Sequence, residues 1–113
     1  SHNLYSILDN GYSVVIDLNA TWCGPCWSYH QAGELEDLWE NHGPAGQPGV
    51  SAGTSDDVYV FMIESDNSTT GADLAGPTAS SQGDWITGTQ FPIIDDGSNA
   101  PSPSIGATPH FPY

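Results

Sequence analysis

The sequence at residues 13–26 is SVVIDLNATWCGPC, and it places two cysteines where a predicted strand meets a predicted helix. The first half is a run of β-branched and apolar residues typical of a buried strand, whereas Pro25 favours the first turn of a helix that we predict to run to about Asn41. Cys23 and Cys26 are the chain's only cysteines, the second about one helical turn after the first. The pair can therefore close a small disulfide ring or stand open as a dithiol, holding or releasing two electrons.

This spacing favours reactivity over a structural role. A disulfide that closes so short a loop removes little chain entropy from the unfolded state, so it would stabilise the fold only slightly. Cys23 falls at the predicted helix N-terminus, where unpaired backbone N–H groups and the helix dipole favour the nucleophilic thiolate. Cys26 lies one turn inside and is expected to be more buried. We therefore predict that Cys23 attacks the substrate and that Cys26 resolves the mixed disulfide.

Residues 14–26 resemble the active-site segment of the thioredoxin superfamily, with its WCGPC motif intact and its buried acid at Asp17, six residues before Cys23. The resemblance implies a thioredoxin-like fold and exchange of disulfides with protein thiols, with Trp22, Gly24 and Pro25 contacting the substrate. A buried carboxyl group titrates high, so Asp17 is expected to accept a proton from Cys26 during resolution. In thioredoxins a lysine on the neighbouring strand usually accompanies this acid; here Met62 falls at about that position, which alters the proton relay.

Two later segments extend the resemblance. Residues 91–92 and 104–111 are similar to the "F-P" strand and the cis-proline segment of the secreted, TlpA-type branch of the superfamily. This implies an extracytoplasmic location, periplasmic or secreted. It also implies that Pro109 is a cis-proline facing the cysteines, that Thr108 precedes it, and that both contribute to the substrate groove. Pro92 is the alternative cis-proline.

Metal and haem sites are less favoured interpretations of the cysteine pair. A zinc site of this type needs a second CxxC or a histidine pair at ligand spacing, and a c-type haem needs histidine directly after Cys26, where Trp27 stands. His30, one turn further on, could tune the thiols or bind a metal, although a surface helical histidine is the simpler interpretation. We expect no metal and no cofactor.

The charge of the chain is one-sided. Its 113 residues include 14 acidic residues and no lysine or arginine, giving a formal net charge of −14 at pH 7. Nothing in the chain can neutralise phosphate, so nucleic acid and anionic membrane surfaces are disfavoured as partners. The chain has no apolar stretch long enough to span a membrane and no basic, apolar leader, so we expect a soluble protein or a mature form without its signal or anchor.

The order of the predicted elements gives the fold class. A lead-in helix or turn within residues 1–12, strands at 13–19, 58–63 and 91–96, and helices from Pro25 and Asn67 form βαβ units, which predict one α/β domain over residues 1–113 with a mostly parallel sheet. The strand at 13–19 is the candidate for its centre. Residues 45–55 form a long loop, and residues 76–90 are irregular with a short helical piece near Trp85.

The C-terminus suggests an incomplete fold. A thioredoxin-like sheet needs a further antiparallel strand and a helix after the cis-proline strand, yet the sequence stops at Tyr113. We therefore expect a piece of a longer protein, or a subunit that self-assembles through an open sheet edge. A competing interpretation of function is a thioredoxin-fold structural or binding module of an extracellular assembly, in which the disulfide is static.

Overall fold

The computed structural model of the protein describes residues 3–66 and 68–95. In chain order its elements are α1 (Leu4–Asp9), β1 (Ser13–Asn19), α2 (Gly24–Ala32), α3 (Glu34–His42), β2 (Val58–Glu64), α4 (Gly71–Ala75) and β3 (Ile93–Asp95). The architecture is α/β, with a small parallel sheet flanked by helices, as the sequence predicts at this coarse level. None of the helices in these residues is long and apolar enough to cross a membrane.

All three described strands are parallel, in the order β1-β2-β3. The central strand is therefore β2, and the expectation that residues 13–19 form the centre is wrong for the described sheet. The reason is burial. From Tyr59 onward β2 is buried along its length, whereas most of β1 is only half-buried and pairs with β2 alone among the described strands.

The register places Asp17 of β1 opposite Met62 of β2. Side chains of paired residues in neighbouring strands share a sheet face, so the two side chains are neighbours. This confirms the sequence-based placement of Met62 beside the half-buried acid. Met62 is fully buried and has no ionisable group, so the residue paired with Asp17 in β2 supplies no positive charge.

The core forms where α3 packs against β2. Trp39 of α3 is 2% exposed, and its ring lies edge-on to Tyr59, with 5.4 Å between the ring centroids. Tyr59 stacks in turn on Phe61, and the Trp39 indole N–H donates to the Pro48 carbonyl oxygen at 2.8 Å. The 45–55 loop, predicted from its Gly, Pro and Ser content, is thereby tied to the core.

The predicted helix from Pro25 to Asn41 is two helices. Gly33 adopts a left-handed conformation with φ of 80°, which ends α2 and begins α3. Glycine takes this conformation without the steric cost that a Cβ atom brings, so it is a common helix terminator. The periodic apolar pattern continues across Gly33, which is why the pattern alone predicts one helix.

The C-terminal part is described only to residue 95. β3 confirms a strand within the predicted range 91–96, and α4, with Thr70 as its N-cap, confirms the predicted helix that Gly76 ends. Trp85 lies in an irregular segment without the predicted helical piece. Thr108 and Pro109 lie outside the described residues. The cis peptide bond of the described part is Gly76–Pro77, and the bond before Pro92 is trans, so Pro92 is not the alternative cis-proline.

Candidate functional site

Cys23 and Cys26 form a disulfide at the N-terminus of α2, with their Cα atoms 5.2 Å apart. Cys23 is the N-cap residue, and its Sγ accepts a hydrogen bond from the Cys26 backbone N–H at 3.2 Å. Pro25 occupies the first turn, where a missing backbone N–H costs nothing. An unpaired N–H of the helix end is therefore directed at the Cys23 sulfur, the arrangement expected to favour a thiolate there when the disulfide opens.

The disulfide is accessible from solvent. Both cysteines and Gly24 are half-buried, whereas Trp22 and Pro25 are exposed, Trp22 by 55%. Cys26 falls in the same burial class as Cys23, so the structure does not show the deeper burial expected of it.

A buried carboxylate holds the residues just before Cys23, which we call the cysteine loop (residues 20–23). Glu64, the last residue of β2, is 0% exposed, and its two oxygens accept hydrogen bonds from the backbone N–H groups of Thr21, at 2.6 Å, and Asp66, at 2.7 Å. Burial raises the pKa of Glu64, while these donated hydrogen bonds and one from the Thr69 side chain oppose the rise. One side chain thus fixes two loops that leave the sheet.

The segment around residues 78–83 holds the cysteine loop from another direction. The hydroxyl group of fully buried Thr21 donates to the Ser80 carbonyl oxygen at 2.8 Å, and the Gln82 backbone N–H donates to the Thr21 carbonyl oxygen at 2.9 Å. The Gln82 side-chain amide donates to the Trp22 carbonyl oxygen, also at 2.9 Å. The backbone of Thr21 and Trp22 is therefore fixed on both sides before the chain reaches Cys23.

The exposed Trp22 side chain is held by a carboxylate. Its indole N–H donates to Asp66 Oδ2 at 2.6 Å. The Ser68 hydroxyl and backbone N–H donate to the other oxygen of Asp66, and these bonds, the hydroxyl first, together with the indole bond lower the pKa of Asp66. Asp66 is therefore ionised at neutral pH and fixes the orientation of the indole next to Cys23.

Asp17 has the perturbed environment that the sequence predicts. Burial raises its pKa, and the charge of His30 and a long hydrogen bond from the Asn19 side chain, at 3.5 Å, oppose the rise. These two residues, rather than a lysine, are its polar neighbours. A carboxyl group with a raised pKa can exchange protons closer to neutral pH than an ordinary aspartate can.

His30 belongs to an aromatic cluster. Its ring lies 5.8 Å from that of Trp27 and 5.0 Å from that of the fully buried Trp85, centroid to centroid, and its Nε2 lies 3.3 Å from the Thr89 hydroxyl oxygen. This environment is more enclosed than the surface position that the sequence suggests. Within residues 3–66 and 68–95, no group of three or more histidine, cysteine or acidic side chains is arranged to hold a metal ion.

A second polar cluster, formed by His42, Ser55 and Asp57, does not have the geometry of a hydrolase site. The Ser55 hydroxyl lies 2.6 Å from His42 Nδ1 and donates to Asp57. In a catalytic triad the acid orients the histidine, whereas here the acid engages the serine itself, and all three residues are exposed. The cluster ties the end of α3 to the segment before β2.

Sequence reasoning identified the cysteines and Asp17 but missed Glu64 and Asp66. The available signal was position, since Glu64 ends and Asp66 follows a buried strand parallel to β1, and the carboxyl ends of parallel strands lie at one edge of a sheet. That edge is where Cys23 begins α2. Comparisons of the chain with protein-family models, with curated proteins and with solved structures gave no match.

Proposed function

We propose that this protein is a thioredoxin-like thiol-disulfide oxidoreductase that exchanges disulfides with protein substrates through Cys23 and Cys26. The observation that carries the proposal is the Cys26 backbone N–H directed at Cys23 Sγ from the start of α2, in a disulfide that remains accessible. This hydrogen bond stabilises a thiolate on Cys23, and a stabilised thiolate is both a good leaving group and the attacking form in exchange.

In the reductive direction, the Cys23 thiolate attacks one sulfur of a substrate disulfide. A mixed disulfide forms, and the second substrate sulfur leaves as a thiolate that takes up a proton. Cys26 then loses its proton and attacks Cys23 Sγ, which releases the first substrate sulfur as a thiolate and closes the Cys23–Cys26 bond. The substrate disulfide gains two electrons and the protein dithiol loses two; the reverse sequence oxidises a substrate dithiol.

Asp17 is proposed as the acceptor of the Cys26 proton, directly or through water, because burial raises its pKa toward the range useful for proton transfer. Trp22, Gly24 and Pro25 form the surface around the disulfide that a substrate meets. The proposed roles of Thr108 and Pro109 in the substrate groove remain predictions. An oxidising, extracytoplasmic compartment fits a protein that carries this bond closed.

The alternative is a binding module with a static disulfide. The specific observation that favours it is the extent to which Glu64, Ser80 and Gln82 fix the cysteine loop, since a redox site must tolerate opening of the bond. The two functions differ in reactivity. A redox pair is reduced and reoxidised readily, whereas a static disulfide resists mild reductant.

The decisive experiment measures the reduction potential of the pair by equilibration with glutathione buffers, together with alkylation of the reduced protein across pH. We expect Cys23 to titrate below the free-cysteine pKa of about 8.5. Cys23→Ser should abolish exchange, whereas Cys26→Ser should accumulate mixed disulfides through Cys23. A Cys23 that is alkylated no faster than free cysteine at pH 7, in a bond that mild reductant does not open, would reject the oxidoreductase in favour of the module.

A further inference from the structure

The residue next to the disulfide presents an aromatic face whose orientation is fixed by an anion. Trp22 is 55% exposed, and Asp66 accepts its indole N–H, leaving the ring faces as its remaining means of binding. An aromatic face attracts a cation placed over it, through the negative charge density of the ring face. The carboxylate beside the ring adds a full negative charge, and the lowered pKa of Asp66 keeps that charge in place.

No lysine or arginine offsets this charge. The sequence contains no lysine or arginine, so the ionised Asp66 has no cationic side chain of either type to pair with. Coulomb interactions reach roughly 8–10 Å at ordinary ionic strength, so the charges that a substrate senses at Cys23 are those of the nearby loops. Two residues of the cysteine loop contact these acids: the Trp22 indole N–H donates to Asp66, and the Thr21 backbone N–H donates to Glu64.

We infer that the Trp22–Asp66 pair makes this a site for cationic substrates, in which the exchanging cysteine is flanked by lysine or arginine. The inference rests on the proposed function, which it deepens by naming the substrate class. A substrate thiolate that attacks the disulfide carries a negative charge, which Asp66 repels. Acidic residues beside the substrate thiol add to this repulsion. A thiol with basic neighbours is attracted to Asp66 and to the Trp22 ring as its sulfur approaches Cys23.

The test uses three synthetic peptides of one length, each with a single cysteine flanked on both sides by lysine, by glutamine or by glutamate. Each peptide thiolate attacks Cys23 Sγ, a mixed disulfide forms and Cys26 leaves as a thiolate. A second peptide thiolate then attacks the peptide sulfur, giving the peptide disulfide and the protein dithiol. Rates are measured by acid quench and thiol labelling, and each is divided by the rate of the same peptide with bis(2-hydroxyethyl) disulfide. This neutral reference removes differences in thiol pKa.

We expect the lysine peptide to react about tenfold faster than the glutamate peptide at 10 mM ionic strength, and the ratio to fall toward one at 500 mM. At 150 mM ionic strength, where the Debye length is about 8 Å, Asp66→Asn should lower the ratio more than Asp9→Asn. Asp9→Asn removes the same charge near the amino end of β1, whereas Cys23 follows the carboxyl end of this strand. Because β1 has seven residues, Asp9 lies roughly 20 Å from Cys23.

A lysine-to-glutamate ratio within twofold at 10 mM would overturn the inference, and so would equal effects of Asp66→Asn and Asp9→Asn at 150 mM. The salt series on the unsubstituted protein keeps the first criterion available if Asp66→Asn does not fold. The glutamine peptide tests the proposed function separately. If it reduces the protein no faster than the reference disulfide, the redox function fails, while the charge ratio is still measured.

Discussion

The two helices α2 and α3 follow each other across one glycine, have nine residues each, and are held in the fold by different means. No residue of α2 is fully buried, and its N-terminus is fixed by polar bonds to the cysteine loop. Helix α3 buries Leu35 and Trp39 against the core. Fully buried side chains therefore fix α3, whereas hydrogen bonds to the cysteine loop and the half-buried Trp27 fix α2. The difference suits the proposed function, in which the first residues of α2 stay accessible to a substrate.

The largest effect on stability is expected for the packing of α3 against the core. Trp39→Ala should lower the free energy of unfolding by about 3–5 kcal/mol, because it empties the space between α3 and Tyr59. Urea denaturation measures this, and the exchange rate per folded molecule should not change. Trp27→Ala, on α2, is the matched control and should cost less because Trp27 is only half-buried. Equal losses would show that α2 depends on core packing as much as α3 does.

The second largest effect is expected for the hydrogen bonds that hold the cysteine loop at the start of α2. Glu64→Gln should cost about 1–3 kcal/mol, because both carboxylate oxygens accept backbone N–H groups and the Gln amide nitrogen must face one of them. The exchange rate at Cys23 should change as well, since Thr21 loses its fixed position. Glu40→Gln, on the exposed face of α3, is the control and should stay within about 0.5 kcal/mol. If the two variants unfold at the same urea concentration, Glu64 does not hold the loop.

Apolar pattern predicts most of what packing determines. The strands at 13–19 and 58–63 and the core position of Trp39 follow from local composition and periodicity, because an apolar stripe must face an apolar layer. The apolar pattern does not predict the role of Glu64. The role of a buried acid at a strand end depends on its hydrogen-bond donors, Thr21 and Asp66. Pairing of β1 with β2 brings Thr21 to Glu64, and sequence periodicity does not specify this pairing.

The same limit explains the other differences between sequence and structure. The break at Gly33 depends on a single φ angle, and the periodicity of apolar residues passes through it. The centre of the sheet depends on which strand edges are paired, which composition does not specify. The position of the cysteine pair at a helix N-terminus was predictable because it depends on local sequence, namely two cysteines, a proline and the strand before them.

A smaller effect is expected at the junction between the helices. Gly33→Ala should cost about 1–2 kcal/mol, because a residue with a Cβ atom is strained at a φ of 80°. Among the described residues, no atom beyond the neighbouring backbone lies within 4 Å of the position that the Cβ would take, so the loss would come from backbone strain and not from a clash. Gly33→Asn should lose less, since asparagine tolerates the left-handed conformation. Equal losses for the two variants in urea denaturation would contradict this explanation of the break.

The smallest effect is a pH dependence at Asp17. Burial raises its pKa above the ordinary value of 3.8, so between the unfolded and folded pKa values the folded state binds more protons. The contribution of Asp17 to stability is therefore complete below about pH 3.8 and is lost as pH rises through the folded pKa. Asp17→Asn removes this loss, so the variant should gain stability relative to the unsubstituted protein as pH rises from 3 to 7.

Asp66 supplies a control of opposite sign, because hydrogen bonds from Ser68 and Trp22 lower its pKa. Its contribution to stability is present above the unfolded pKa and is lost as pH falls through the folded pKa, so Asp66→Asn should lose stability relative to the unsubstituted protein over the same rise in pH. Urea denaturation of the three proteins at each pH gives both differences. Repulsion among the remaining carboxylates is shared by all three, so it largely cancels. If both differences change in the same direction, Asp17 is not the desolvated carboxyl that its proposed role as proton acceptor requires.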